Sequence, residues 1–182
     1  MGVASDFDVL WEQQKKQIDS AIILQEKKAD GISCNELQQS YYALTGKWSD
    51  SLSAEYEFIK RLQREDLERA DAFQKKLADF TFTEIESPEL PSVVPYVGGE
   101  CVVCLAGASL GYLLASRSFL GRILDVRLIM LLAAVLLGMM TVGIVRELYQ
   151  NKKQEIWHRT GDKYRAQVDA LGKALVSLLQ GR

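Results

Sequence analysis

Two uncharged, apolar runs lie close together in the middle of this chain. Residues 101–116 (CVVCLAGASLGYLLAS) and residues 128–145 (LIMLLAAVLLGMMTVGIV) contain no charged side chain. An α-helix rises about 1.5 Å per residue, so the second run would be roughly 27 Å long. This length is close to the hydrocarbon core of a bilayer, which is about 30 Å thick. The sequence therefore predicts two membrane spans, over about 101–118 and 127–146.

The connection between the two runs is short and charged. It contains Arg117, Arg122, Asp125 and Arg127, and we expect the arginines on either side of Asp125 to balance its charge. A chain in lipid must satisfy its backbone amides internally, so each run spans as a helix. The predicted fold class is all-α, a two-span transmembrane helical hairpin with cytoplasmic amphipathic or coiled-coil-like helices on both sides.

Charge is distributed unevenly on the two sides of this hairpin. Residues 1–100 hold 11 Lys and Arg against 19 Asp and Glu, whereas residues 146–182 hold 8 against 4. Basic residues near a span favour the cytoplasmic side, and six lie within the twenty residues after Val145 against three in the connection. We therefore expect both termini in the cytoplasm. The N-terminus also lacks the pattern of a signal peptide.

Residues 1–80 are predicted to form an N-terminal helical module. Apolar residues recur at three- and four-residue spacing, which predicts helices over about 5–28, 33–45 and 49–80. Ser33 and Glu36 have the spacing of a capping box, and Gly46 has the position of a C′ residue. The third stretch reads as one long amphipathic helix or as a short, imperfect coiled coil.

A proline-containing acidic linker, residues 81–100, is expected to join this module to the first span in a mostly extended conformation. It holds Pro88, Pro91 and Pro95, the only prolines of the chain. Residues 147–182 read as a basic helical tail that continues the second span. Its apolar stripe comprises Trp157, Tyr164, Val168, Leu171, Leu175 and Leu178.

Small residues recur every four positions in both spans. They are Gly107, Gly111 and Ala115 in the first span, and Ala134 and Gly138 in the second. Such spacing lets helix backbones approach closely in lipid. We expect these residues to pack helix against helix, either in a tight hairpin or between copies.

The remaining candidate residues indicate contact with lipid rather than catalysis. We expect Arg146, Lys152, Lys153 and Arg159 to contact anionic headgroups. Cys101 and Cys104 have the spacing of a redox or zinc motif, but too few further ligands accompany them, and His158 reads as an exposed residue. No phosphate-binding loop or nucleophile motif is present. The expectation is a non-enzyme with no catalytic site, metal or cofactor, and no nucleic-acid partner.

Three functions fit this layout. The first is a homo-oligomeric membrane channel, pore or permeabilising effector that assembles through its spans and cytoplasmic helices. The second is a non-conducting anchor or scaffold whose residues 1–80 recruit a protein partner. The third is a soluble helical toxin with an insertable hairpin. Only Ser109, Tyr112, Ser116 and Thr141 are polar within the two runs, and this sparseness favours an anchor or a dry gate.

The order of elements is similar in outline to that of the mitochondrial calcium uniporter. That family begins its second span with Trp-Asp-Ile-Met-Glu, whereas the comparable segment here is Ile123-Leu124-Asp125-Val126-Arg127. The glutamate that coordinates calcium in that family has no counterpart. A pore in this protein would be ringed by arginine or by no charge, and would be non-selective or favour anions.

Overall fold

A computed structural model describes residues 3–28, 31–117 and 125–180 of this chain, and these residues form helices and irregular segments without any strand. The predicted all-α class is therefore confirmed. The helices are α1 (Val3–Glu26), α2 (Cys34–Thr45), α3 (Ala54–Glu65), α4 (Leu67–Ala78), α5 (Val94–Arg117) and α6 (Val126–Gln180), with a 3-10 helix (Gly46–Ser49) after α2.

The chain divides into two compact units. The first, which we call the bundle, comprises Met1–Pro88 together with Trp157–Arg182. The second, which we call the hairpin unit, comprises Glu89–Ile156. The last part of α6 thus belongs to the same unit as the N-terminal helices.

A single hydrophobic core holds the bundle together. Its most deeply buried large side chains come from every α-helix of the unit: Phe7, Ile22, Leu37, Tyr41, Phe58, Ile59, Leu62, Phe73, Tyr164, Val168 and Leu175. Phe7 lies among the rings of Phe58 and Phe73, with centroid distances of 5.9 and 5.3 Å. Because α6 contributes Tyr164, Val168 and Leu175 to this core, residues 1–88 do not bury their apolar faces by themselves.

The predicted helix over 49–80 is wrong in one respect, because it is interrupted at Asp66. Asp66 has an extended backbone (φ −157°, ψ 102°) and caps α4, with its side chain accepting a hydrogen bond from the Arg69 N–H at 3.0 Å. Leu62 is buried whereas Leu67 is exposed. The break lets two short helices each present one apolar face to the core, which a straight helix with this sequence could not do.

The N-cap of α2 was predicted correctly, whereas Gly46, which follows α2, does not have the left-handed conformation expected of a C′ glycine. The Ser33 hydroxyl accepts from the Glu36 N–H at 3.4 Å, and the Glu36 carboxylate pairs with Lys28. Gly46 is right-handed (φ −58°) and continues the chain into the 3-10 helix. A left-handed glycine is found instead at Gly31 (φ +86°), where the Trp157 ring leaves no space for a Cβ atom.

The first part of the predicted linker is bound to the bundle. Phe82 is buried, with its ring 5.8 Å from that of Tyr164. The Gln38 side chain donates to the Phe80 carbonyl at 3.0 Å and accepts from the Phe82 N–H at 2.8 Å. Gln167 bonds the N–H and carbonyl of Thr83 in the same way, at 2.8 and 3.1 Å. The side-chain amides of Gln38 and Gln167 therefore make the hydrogen bonds to this extended backbone that a neighbouring strand would otherwise make.

Glycines of the tail provide room for side chains of α1. A Cβ atom at Gly161 would overlap the Glu26 carboxylate, and one at Gly172 would overlap the Trp11 indole. Each glycine lowers the stability of the helix by about 1 kcal/mol relative to alanine, but it lets a side chain of α1 pack closely against the tail. The buried stripe of the tail ends at Leu179 rather than at the predicted Leu178, which is half-buried.

Ion pairs also join α1 to the tail. Arg165 donates to Asp19 at 2.5 Å and lies 2.8 Å from Glu26, and Lys15 contacts Asp169 at 2.6 Å. Burial alone would lower the pKa of Arg165, but its hydrogen bonds to Asp19 and Glu26 raise that pKa above the ordinary value. Ion pairs and core packing therefore both hold the tail against α1.

Candidate functional site

Helix α5 begins seven residues before the predicted first span. It starts at Val94, with Pro95 in its first turn, where a proline loses no intrahelical hydrogen bond. The predicted linker, residues 81–100, was expected to be mostly extended, and its last seven residues are helical instead. The helix contains 24 residues and would be about 36 Å long. The sixteen residues of the first apolar run would by themselves be only about 24 Å long, so the added residues bring this helix to the length of a span.

Helices α5 and α6 are both long and apolar enough to cross a membrane, and their apolar side chains face outward. Only 11% and 6% of the residues in their most apolar stretches are buried inside the protein. Leu105, Met139 and Met140 are among the most exposed, at 68%, 71% and 73%. A soluble protein rarely exposes a continuous apolar surface of this kind, whereas lipid would cover it.

The two helices pack against each other through the small residues. Gly107, Gly111 and Ala115 are the buried residues of α5. A Cβ atom at Gly107 would lie 3.0 Å from the Ala133 carbonyl oxygen and 3.1 Å from the Ala134 Cα. On the facing helix, a Cβ atom at Gly138 would lie 2.9 Å from the Cys104 Sγ. All five predicted packing residues thus lie on described helices, and each is buried or contacts the facing helix of the same chain.

The two backbones also approach each other closely at Gly111. A Cβ atom there would lie 2.9 Å from the Met130 Cα and 3.0 Å from the Ile129 carbonyl oxygen. Gly143, by contrast, has nothing within 4 Å of its Cβ position. The contacts run in opposite directions along the two helices, so the pair is antiparallel.

The serine and threonine hydroxyls of the two runs are bonded within their own helices. Ser109 donates to the Leu105 carbonyl at 2.9 Å, and Ser116 donates to the Leu113 carbonyl at 3.0 Å. Thr141 lies 3.1 Å from the carbonyl oxygens of Leu137 and Gly138. Each hydroxyl is satisfied without water or another chain, so none of the three needs a polar lumen.

Aromatic and basic residues lie at the ends of the apolar helices. The rings of Tyr96 and Tyr149 meet edge to face, with centroids 5.4 Å apart. Tyrosine is common at the level of lipid headgroups. Arg117 ends α5 and Arg127 lies in the first turn of α6, while Arg122 lies outside the described residues.

Asp125 caps a helix, a role that was not predicted from the sequence. Its carboxylate accepts from the Arg127 backbone N–H at 2.9 Å, and its carbonyl accepts from Leu128 and Ile129. It is therefore the N-cap of α6, where a carboxylate also interacts favourably with the helix dipole.

The predicted headgroup residues all lie on α6. Arg146 is exposed, and Lys152 pairs with Glu155 at 3.0 Å. Lys153 is half-buried, Arg159 is exposed, and both take part in further interactions. These four residues span about four turns beyond the second apolar run.

The cysteines and histidine form no metal site in the part of the chain that the structure describes. Cys101 is exposed, and Cys104 packs on Gly138. His158 has an exposed side chain, and its Nδ1 lies 3.3 Å from the Glu26 carboxylate. The single histidine thus lies beside the ion-pair group of α1 and the tail.

Glu100 lies within α5, a position that was not predicted from the sequence. It is the seventh residue of α5, which otherwise carries only Arg117 as a charged side chain. Its Oε1 is buried and has no hydrogen-bond partner among the described residues. Had Pro95 been interpreted as the first turn of a helix, the sequence would have placed Glu100 inside that helix.

Comparison with models of protein families, with curated proteins and with solved structures gives no match to this chain.

Proposed function

We propose that this chain is an integral membrane protein that crosses the bilayer twice and anchors its helical bundle at the cytoplasmic surface without conducting ions. The observation that carries the proposal is the outward apolar surface of α5 and α6, within which the hydroxyls of Ser109, Ser116 and Thr141 are bonded inside their own helices. Such a surface suits lipid on all sides. The bundle is the part available to a protein partner.

The shared core of the bundle supports placing both ends of the chain on one side of the membrane. Residues before α5 and residues after the second apolar run bury side chains against each other, including Tyr41 and Phe82 from the first segment and Tyr164 from the second. Two segments that form one core must occupy one compartment, and an even number of spans allows this. The excess of basic residues after Val145 favours the cytoplasm as that compartment.

The packing of α5 on α6 favours an anchor over a pore. The small residues are used between the two helices of one chain, so they are not needed to assemble a ring of copies. A water-filled pore requires a polar face along its lining. The hydroxyls of Ser109, Ser116 and Thr141 form no such unsatisfied face.

The topology is tested by labelling in sealed vesicles. Ser5→Cys and Ser177→Cys, both at exposed positions, are made separately in a chain whose three native cysteines are replaced by serine. We expect the protein to resist carbonate extraction and both cysteines to react with an impermeant maleimide from the same side. Labelling from opposite sides would contradict the shared core as a guide to topology.

Conduction is tested separately, on purified protein in liposomes. The anchor proposal predicts no ion flux above that of empty liposomes. Flux that scales with protein content would favour the pore, and a protein that stays monodisperse without detergent would favour the soluble toxin.

A further inference from the structure

The connection between α5 and α6 carries more positive charge than its own acids can neutralise. Residues 101–145 contain three arginines, Arg117, Arg122 and Arg127, and a single acid, Asp125. Three positive charges against one carboxylate leave a net charge of +2 at this end of the hairpin. The surplus follows from the sequence alone, so no arrangement of residues 118–124 removes it.

Two of these arginines have exposed side chains. Arg117 is the last residue of α5 and Arg127 the second residue of α6. Among the described residues, the ion pairs of arginine involve residues of the bundle instead. The Asp125 carboxylate accepts from the Arg127 backbone N–H at 2.9 Å and caps the helix. Both guanidinium groups are therefore available to an anion from outside the chain.

The register of the two helices puts both arginines at nearly one depth. A Cβ atom at Gly111 would lie 2.9 Å from the Met130 Cα, which fixes one point of contact. Arg117 lies about 9 Å beyond Gly111 along α5, and Arg127 lies about 4.5 Å before Met130 along α6. Because the helices are antiparallel, both distances run toward the same end. The two residues thus differ in depth by about 4.5 Å, which is less than one helical turn.

We propose that Arg117 and Arg127 bind the phosphate groups of anionic phospholipids, in the leaflet on the opposite side of the membrane from the two chain termini. This inference rests on the proposed membrane insertion, which separates the acid-rich residues 1–88 from these arginines by the bilayer. A guanidinium donates two parallel hydrogen bonds to a phosphate. A zwitterionic phospholipid brings its own cation, whereas an anionic phospholipid neutralises the surplus charge.

The surface next to the arginines favours a lipid over a free phosphate ion. Leu113, Leu114 and Leu128 lie within four residues of an arginine, and their side chains are 53%, 64% and 45% exposed. Acyl chains would cover these leucines while the headgroup contacts the guanidinium groups. A phosphate ion would meet the charge and leave the leucines uncovered. An amphiphile with an anionic head therefore fits both parts of the surface.

The test identifies the lipids beside Arg117 by photocrosslinking. Ser116→Cys, at an exposed position, is made in the full-length chain with its three native cysteines replaced by serine, and is labelled with a benzophenone maleimide. The protein is reconstituted into liposomes of phosphatidylcholine with a minor share of phosphatidylglycerol. Mass spectrometry of the crosslinked lipid should show phosphatidylglycerol enriched roughly five- to thirtyfold over its share of the bilayer, since each arginine contributes about a factor of five.

Replacing both arginines should abolish this enrichment. Arg117→Gln together with Arg127→Gln leaves Arg122 against Asp125, so the net charge of this end becomes zero. The crosslinked lipid should then have the composition of the bilayer, and its total amount should stay the same.

A matched control removes two positive charges from exposed positions of the bundle, with Arg64→Gln and Lys76→Gln in one chain. The enrichment should persist in this control. It should also fall no further in inorganic phosphate than in potassium chloride of equal ionic strength.

Each contrary outcome has its own meaning. Equal enrichment in the wild type and the arginine variant, or none in either, would overturn the binding of anionic lipid by these arginines. A loss specific to inorganic phosphate would identify the free ion as the preferred occupant, and crosslinks to protein would identify a protein partner. Both results would overturn the inference while leaving membrane insertion intact. Absence of any crosslinked lipid would contradict membrane insertion itself.

Discussion

Single atoms decide how closely α5 and α6 approach. A Cβ atom at Gly111 would lie 2.9 Å from the Ala133 Cβ and the Met130 Cα and 3.0 Å from the Ile129 carbonyl oxygen, and the last two are backbone atoms. A side chain could rotate away, but a backbone atom moves only with its helix. Gly143, by contrast, lies in the second apolar run and faces open space. The two glycines therefore differ in what they contribute, although their helical surroundings in the sequence are alike.

Alanine substitution at these two glycines should have opposite effects on stability. Gly111→Ala is expected to destabilise the protein by about 1–3 kcal/mol, because the helices must separate. Gly143→Ala should be neutral or stabilising by up to about 1 kcal/mol, because alanine favours the helix. Thermal unfolding in detergent measures both. Equal effects would show that helix propensity, rather than contact, determines the role of these glycines.

Tyr41 makes the stability of the bundle depend on alkaline pH. Its hydroxyl donates to the Leu77 carbonyl at 2.5 Å, and burial raises its pKa above the ordinary value of 10.0. The folded state then holds its proton where the unfolded state loses it, so stability falls as pH rises above about 10. Tyr41→Phe should flatten this fall in denaturant titrations between neutral pH and pH 11. Tyr42→Phe, which removes an exposed phenol next to it, should not.

At the scale of helices, capping residues matter more than the continuity of an apolar stripe. Leu62 and Leu67 fit no single helical face, and the structure resolves this by ending α3 at Glu65 and starting α4 at Leu67. The residue between them, Asp66, satisfies a free N–H of the new helix. Its short side chain and acidic charge suit an N-cap.

Removing that cap should cost stability without changing the core. Asp66→Ala is expected to lower the free energy of unfolding by about 0.5–2 kcal/mol. Asp71→Ala, at an exposed position within α4, should change it by less than about 0.5 kcal/mol. Chemical denaturation of the two variants makes the comparison. If both lose the same amount, the cap is not what stabilises the break.

At the scale of the whole molecule, the bundle depends on a segment far along the chain. Leu175 is fully buried among side chains of the N-terminal helices. Leu175→Ala should therefore destabilise the bundle by about 2–5 kcal/mol, through lost burial and the cavity that remains. Amide hydrogen exchange should become faster in α1 and α2, more than 120 residues away in sequence. Lys173→Ala, on the exposed side of the same helix, should leave exchange in α1 unchanged.

The helices could be predicted well because each depends on local spacing and on caps. The apolar period predicted α1, α2 and the tail, and the small residues at every fourth position predicted which face of α5 is buried. Predictions failed where a residue permits two local structures. Pro95 breaks a helix interior but begins a helix equally well, and this ambiguity removed Glu100 from the predicted span.

The sequence by itself determined that the chain is helical and that two of its helices are apolar enough for a membrane, because hydropathy and periodicity are properties of neighbouring residues. The tertiary structure decided which distant segments share a core. It put the tail, with Tyr164 and Leu175, beside the N-terminal helices and held Phe82 against them. It also decided that the glycines of α5 face α6 of the same chain. Contacts between residues far apart in sequence depend on shape and burial, which no local pattern contains.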